Sequence, residues 1–242
     1  YLNYLTPKLS MLINPSDMKN HSETKRNINN ENIFDINRLG LTDSLESGKS
    51  LTAGLEYKKE KLEDINKYFE LKLATVFRDK EETFIPKTST LNKKTSNLFG
   101  SLSNNFSDKF NVKYDFALNN NLNTFDYNKI SSTISLNNLV TEFSFIEEGG
   151  DIGSTNTFAN KSKYIFDENN SISFKTRRNR KINLTEYYDL VYEYQNDCLT
   201  AGIKYNKKYY EDRDLKPTEN LLFTITLFPL TTYEQQVDYE GL

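Results

Sequence analysis

An antiparallel transmembrane β-barrel, an all-β fold, is what this sequence predicts, and three observations predict it. Residues 187–227 hold three runs in which apolar and polar side chains alternate with period two, the signature of strands with one apolar face. Connections along the chain alternate between tight polar turns and long polar loops, as they do where short turns lie on one side of a membrane and long loops on the other. The third is composition: 36% hydrophobic residues, yet 16 Tyr and 16 Phe. With a mean hydropathy of −0.71 the chain would barely fill a large soluble helical core. A barrel wall needs apolar residues only at alternate positions.

Taken in order, residues 2–13 read as a strand, with Pro7 tolerable at an edge or bulge. Residues 14–48 form a long polar loop with apolar anchors at Ile33, Phe34, Ile36, Leu39 and Leu41. A loop of that length is unusual inside a compact soluble domain and ordinary at a barrel mouth. Strands follow at 49–57, with Leu51, Ala53, Leu55 and Tyr57 outward, and at 68–77, with Phe69, Leu71, Leu73 and Phe77 outward. A second long segment, 79–94, returns the chain to a weaker strand at 96–106. A tight reversal at 106–109 leads to 110–118, where Phe110, Val112, Tyr114, Phe116 and Leu118 give the cleanest alternation.

Further strands are expected at 126–136 and 139–145, joined by a tight turn at Asn137 and Asn138. A Gly-rich loop at 147–156 precedes strands at 158–166 and 171–178, and 179–183 leads to the closing run. There Tyr188, Leu190, Tyr192 and Tyr194 share one face, then Leu199, Ala201, Ile203 and Tyr205, then Leu221, Phe223, Ile225 and Leu227. The count is about twelve strands, with long and short connections alternating throughout. If the long loops are external, the turns at Ser107, Asn137, Asp167 and Asn196 are periplasmic. A soluble β-sandwich also alternates, but this chain lacks the Trp and Cys core signature of such domains.

Charge and motifs narrow the function. With 31 basic and 34 acidic residues and a formal charge of −3, no basic excess points to nucleic acid. No run of about 18 apolar residues is present for a transmembrane helix. The first residues, YLNYLTPKLSMLI, lack the parts of a signal peptide and begin inside a strand, so the expectation is a fragment whose N-terminal part and export signal lie elsewhere. Cys198 and His21, each the single residue of its kind, supply no zinc-ligand set, and no cofactor is expected. A hydrolase of the outer-membrane kind would need a Ser–His pair built on His21, and the residues around it form no such motif, so no enzymatic activity is expected. Arg177, Arg178, Arg180 and Lys181 form the densest basic cluster, at an expected external loop, where sugar phosphates could pair with it. Lys72, Lys113, Asp115, Glu186, Glu193 and Lys204 point inward, toward a polar lumen.

One stretch carries a more specific signal. Residues 32–57, NIFDINRLGLTDSLESGKSLTAGLEY, resemble a block of the lipopolysaccharide-assembly family LptD, on Phe34, Asn37, Arg38, Gly40, Asp43, Glu46, Gly48 and Lys49. The C-terminal run, a cysteine after a short polar turn, a strand, then DRDLKPTENLLFTITL at 212–227, is similar to that family's last strands. The resemblance extends from near residue 2 to about residue 229.

What the resemblance implies is the C-terminal part of a large outer-membrane barrel in a Gram-negative bacterium, a translocon that inserts lipopolysaccharide (LPS) into the outer leaflet. Its implied partners are an LptE-like plug lipoprotein, LPS itself, an LptA-like periplasmic bridge reached through an N-terminal domain, and the barrel-assembly machinery. The lipid would leave sideways through a gate at the last strand, here Asn220, Leu222, Thr224, Thr226 and Phe228, with Pro229 removing a donor at its end. Members of that family carry two adjacent cysteines near the C-terminus, each bonded far upstream. Here the place reads Asp197 and Cys198, so only Cys198 could form such an interdomain disulfide. A general porin or a TonB-type nutrient receptor is the alternative that the alternation alone would also fit.

Overall fold

The computed structural model describes residues 1–209, 217–227 and 231–237, and the strand pairs described below are antiparallel. The described residues contain thirteen strands, no α-helix and a 3-10 turn at Lys87–Ser89. They divide into two compact units, residues 1–130 with 146–155, and residues 131–145 with 156–242.

The first unit begins with β1 (Leu2–Asn14), β2 (Gly48–Lys61) and β3 (Asp64–Arg78), followed by β4 (Leu98–Ser107) and β5 (Phe110–Leu118). Each pairs with its sequence neighbour. The first part of β6 (Phe125–Leu136) and the end of β7 (Leu139–Glu148) also belong to this unit. Register explains the faces. Leu5 lies opposite Tyr57 and Tyr57 opposite Leu71, while Met11 faces Leu51 and Leu51 faces Phe77. These side chains make one apolar surface, on which Leu9 is 73% exposed. A soluble protein would not leave so broad an apolar sheet face in water. The opposite face carries Ser50, Thr52, Lys72 and Arg78, and here burial occurs.

That burial is supplied by loops. Met18, Ile28, Ile33, Leu39 and Leu41 from residues 15–47 pack with Ile85 and Leu91 from residues 79–97. Together they cover Ala74 and Val76 of β3, with Phe99 and Ala117 in the same core. The expected anchors Ile33, Leu39 and Leu41 are thus core residues, and Phe34 packs against them. Ile36 is a correction: it is 77% exposed.

The second unit holds the rest of β6 and β7 with β8 (Asn156–Ile165), β9 (Asn170–Asn179), β10 (Leu184–Gln195), β11 (Leu199–Lys208), β12 (Thr218–Leu227) and β13 (Thr231–Val237). From β8 onward each strand again pairs with the next. The apolar face runs in register through Leu190, Tyr205 and Leu221, and through Tyr192, Ile203 and Phe223. The described core cluster has no member in this unit. Its buried residues are the polar Thr157, Ser171 and Asn206. Side chains that are apolar on the outside and polar on the inside are the inverse of a soluble domain and the pattern of a strand wall in lipid.

Three expectations need correction. There are thirteen strands among the described residues: TTYEQQV forms β13, missed because polar residues hide its period-two pattern. The residues expected as a charged connection at 58–67 extend β2 and β3 to a tight turn at 62–63. The alternation of loop lengths also fails at one place, because the β9–β10 connection, 180–183, is as short as the β8–β9 turn, 166–169.

Candidate functional site

The most built feature of the first unit is a buried charge network that ties the 15–47 loop to the strand wall. Arg38 donates through Nε to Glu46 Oε2 at 2.7 Å and through Nη2 to Glu46 Oε1 at 2.6 Å. Its Nη1 reaches Thr52 Oγ1 at 2.8 Å and its Nη2 reaches Ser50 Oγ at 2.9 Å. Arg78, at the end of β3, donates to the same Glu46 carboxylate and, at 2.5 Å, to the carbonyl of Ser47. All three charged residues are buried, Glu46 to 3% exposure. Buried charges persist only when paired and hydrogen-bonded, and here one carboxylate serves two guanidinium groups.

The neighbouring motif residues shape that network. Asn37 brackets the turn, donating through Nδ2 to the Leu41 carbonyl at 2.7 Å and accepting from the Leu41 N–H at 3.1 Å. Gly48 sits at φ 88°, where a side chain would be strained, and an added Cβ would stand 3.1 Å from Arg78 Nη2. The Phe34 ring lies so close to Gly54 that a Cβ there would come within 2.7 Å of it. Sequence reasoning had Arg38 and Glu46 but missed Arg78, Ser50 and Thr52. The available signal was a charge on the inward side of a strand end.

His21 is tied down within the long polar loop. Its N–H donates to the Phe84 carbonyl at 2.9 Å, joining the two long loops. Its Nε2 lies 3.1 Å from Ser44 Oγ and 3.1 Å from Asp43 Oδ1. With Asp43 and Ser44 both against Nε2 and the backbone N–H on Phe84, His21 clasps residues 43–44 to the second long loop. Lys19, hydrogen-bonded to Asp43 at 3.1 Å, holds the Asp43 carboxyl below its ordinary range.

A cavity of about 530 Å³ opens on the inner face of the first unit, between the 27–31 segment of the long loop and the strands. Lys72, Lys113 and Asp115, expected inward, line it together with Lys129 and Glu148. Lys113 Nζ lies 2.9 Å from Glu31 Oε1 and 3.5 Å from Asp115 Oδ1. The hydrogen bond and charge of Lys113, with Lys129 and Lys72 beyond, hold the Glu31 carboxyl below its ordinary range.

The remaining expected residues do not converge. Cys198 is exposed in the 196–198 turn, its N–H donating to Asn196 Oδ1 at 3.0 Å. Arg177 and Arg178 are adjacent on β9 and so face opposite ways. Arg177 pairs with Glu186, Arg178 bonds Asn183, and Arg180 lies over the Phe145 ring at 5.5 Å. The Lys181 N–H donates to Asn179 Oδ1 at 3.1 Å. On the polar face of the second unit Lys204 lies 3.7 Å from Asp189, and Glu193 lies 3.9 Å from Lys163.

The strand expected to be last is corrected too. β12 is flanked on both sides, pairing with β11 through Asn206 and Asn220 and with β13 through Thr224 and Glu234. Leu222, Thr224 and Thr226 are therefore interior ladder positions, not an edge, while Asn220, paired with Asn206 on β11, lies one residue before the first described β13 pairing, Leu221 with Val237. Phe228 and Pro229 lie outside the described residues.

Sequential antiparallel strands, an exposed apolar face and a polar inner face capped by loops define an outer-membrane β-barrel protein. The family model LptD, LPS transport system D, matches residues 1–147, and the chain belongs to that family, which makes LPS its substrate within the Lpt transport system. No curated protein matches the chain. Among solved structures it is similar to engineered variants of the Rh. blastica porin. One has 10% identity over 76% of this chain and 82% of the other, with a TM-score of 0.40. A second has 10% identity over 81% and 87%, at 0.43. A structure titled "Asymmetric conductivity of engineered proteins" has 9% identity over 97% and 98%, at 0.40.

Proposed function

We propose that the chain is the membrane-spanning part of a translocon that inserts LPS into the outer leaflet of a Gram-negative outer membrane, without covalent chemistry. The observation that carries this reading is that the LptD match spans 1–147, the stretch whose Asn-Arg and Glu-x-Gly residues build the buried Arg38–Glu46–Arg78 network. Polar inner faces suit passage of sugars, and an apolar outer face suits release of acyl chains into lipid. Lateral release requires parting a few ladder hydrogen bonds, each worth about 1 kcal/mol net in water and several if left bare in lipid. An LptE-like plug lipoprotein in the lumen, an LptA-like bridge on the periplasmic side and assembly by the barrel-assembly machinery complete the proposal. Cys198, exposed at a turn, is offered as one half of a disulfide to a periplasmic domain, a compartment that permits such bonds.

The test is depletion of the natural protein in its host while surface LPS is labelled. The expected result is loss of LPS delivery, with a small lipoprotein co-purifying from detergent-solubilised membranes and a non-reducing gel shift removed by Cys198→Ser. Unchanged LPS delivery together with slower uptake of small hydrophilic solutes would replace this reading with a porin.

A further inference from the structure

We infer that the inner-face cavity of the first unit binds a small zwitterion, an α-amino acid with an apolar side chain, held between Lys129 and Glu148. This goes beyond the transport reading and does not rest on it. The wall carries the carboxylates of Glu31, Glu70, Asp115 and Glu148 against the ammonium groups of Lys72, Lys113 and Lys129. Net charge therefore favours no anion, and most of these groups already answer one another. Lys72 Nζ lies 2.9 Å from Glu70 Oε2. Lys113 Nζ lies 2.9 Å from Glu31 Oε1 and 3.5 Å from Asp115 Oδ1, and Asp115 also accepts from Ser101 Oγ at 2.7 Å. One charge of each sign is left. Among the described residues, Lys129 and Glu148 line the wall with no ion-pair partner of their own.

Backbone geometry sets the spacing of that pair. The Gly149 N–H donates to the Asp126 carbonyl at 2.8 Å, which places Glu148, the last residue of β7, beside Tyr127 of β6. Lys129 is the next residue on the same face of β6, since strand faces repeat every second residue. Diagonal neighbours of this kind stand roughly 7–8 Å apart. Gly153 leaves the room in which the Glu148 carboxylate lies, because a Cβ there would collide with it. A molecule that carries an ammonium and a carboxylate on one carbon spans such a gap. It donates to Glu148 and accepts from Lys129, with a charge-assisted bond at each end.

The remaining substituent of such a molecule meets an apolar wall. Phe99 and Ile152 are buried members of the core, partly buried Tyr127 packs against it, and Ile146 lines the cavity with them. A ligand of one sign alone would leave either Lys129 or Glu148 unanswered beside this apolar surface, which is unfavourable where water is displaced. At about 530 Å³ the space lies within the range of small-molecule sites.

Binding is measured by calorimetry on the natural full-length protein in a maltoside detergent. The probes are L-phenylalanine, phenethylamine, which lacks the carboxylate, phenylpropionate, which lacks the ammonium, and glycine, which lacks the side chain. L-Phenylalanine is expected to bind tighter than each of the others by roughly tenfold or more. Lys129→Gln is expected to weaken phenylalanine by roughly tenfold and leave phenethylamine unchanged. Glu148→Gln should weaken phenylalanine as much and leave phenylpropionate unchanged. The unchanged probe shows in each case that the variant is folded, and should one variant fail to fold, the other reads the same site from the neighbouring strand. Phenethylamine or phenylpropionate binding as tightly as phenylalanine overturns the proposal. So does the absence of phenylalanine binding at about 10 mM, or a loss that falls equally on every probe in both variants. Loss of LPS delivery on depletion is scored separately, so the two readings fail independently.

Discussion

At the scale of single residues, Glu46 concentrates the most consequence. Its carboxylate accepts from Arg38 and Arg78, and all three residues are buried. Glu46→Gln would leave two buried guanidinium groups facing a neutral amide, a loss of roughly 3–5 kcal/mol by analogy with other broken buried pairs. The expected outcome is rapid protease cleavage within residues 15–47 of the detergent-solubilised protein, at a protease level that leaves the unmodified chain intact. Arg38→Lys should do nearly as much harm, because a single ammonium cannot reproduce the fork that reaches Glu46, Ser50 and Thr52 together. Cleavage as slow as in the unmodified chain would mean the core alone holds the cap.

Glu31 gives the residue-scale pH dependence. Its folded-state pKa lies below the ordinary 4.5, first through the hydrogen bond to Lys113. A depressed carboxylate contributes stability that is full above the unfolded value and is lost as pH falls through the folded one. The 27–31 segment should therefore be held as tightly at pH 7 as at pH 5 and loosen only below 4.5. Amide exchange of residues 27–31 across that range checks this, and Lys113→Gln should abolish the step. Loosening between pH 7 and 5 would assign the contact to another group.

At the scale of elements, the wall is defined by which side of each strand is apolar. Ile203 lies mid-strand on the apolar face between Tyr192 and Phe223, whereas Ser173 lies mid-strand on the polar face opposite Val191. Ile203→Arg should cost about 2–4 kcal/mol of folding in lipid, the penalty for a cation at mid-membrane depth, while Ser173→Lys should cost little. Folding titrations in urea with lipid vesicles separate the two, and equal costs would contradict the assignment of faces. These faces were legible because period two survives in sequence: 110–118 was placed to the residue as β5. β13 was not, since Thr232, Glu234 and Gln235 carry no apolar signal. Nor was the cap, because Arg78 meets Glu46 only after the chain has made a strand, a turn and another strand. Periodicity reports local geometry; the pairing of loops through Ile33, Ile85 and Leu91 is a long-range fact.

At the scale of the whole molecule, its two units derive their stability from different sources. The first owns an apolar core that water cannot reach, made largely of loop residues such as Met18, Ile33 and Leu91. The second has no member in the described core cluster and leaves Leu190, Ile225 and Leu227 between 42% and 45% exposed, so its apolar burial must come from surrounding hydrocarbon. Weakening that hydrocarbon should act unequally. Moving the natural protein from lipid nanodiscs into a short-chain detergent is expected to speed amide exchange in β9 to β12 by tenfold or more, equivalent to about 1.4 kcal/mol of lost opening free energy. Backbone amides with partners inside the cap, such as His21 to Phe84, Ile33 to Asn29 and Glu82 to Asn92, should hold their protection through the same transfer. Loops that outlast strands would be an inversion of the usual order, in which connecting segments exchange first. If instead both sets lose protection together, the loop core depends on the bilayer as much as the wall does, and the cap cannot be treated as a stable body of its own.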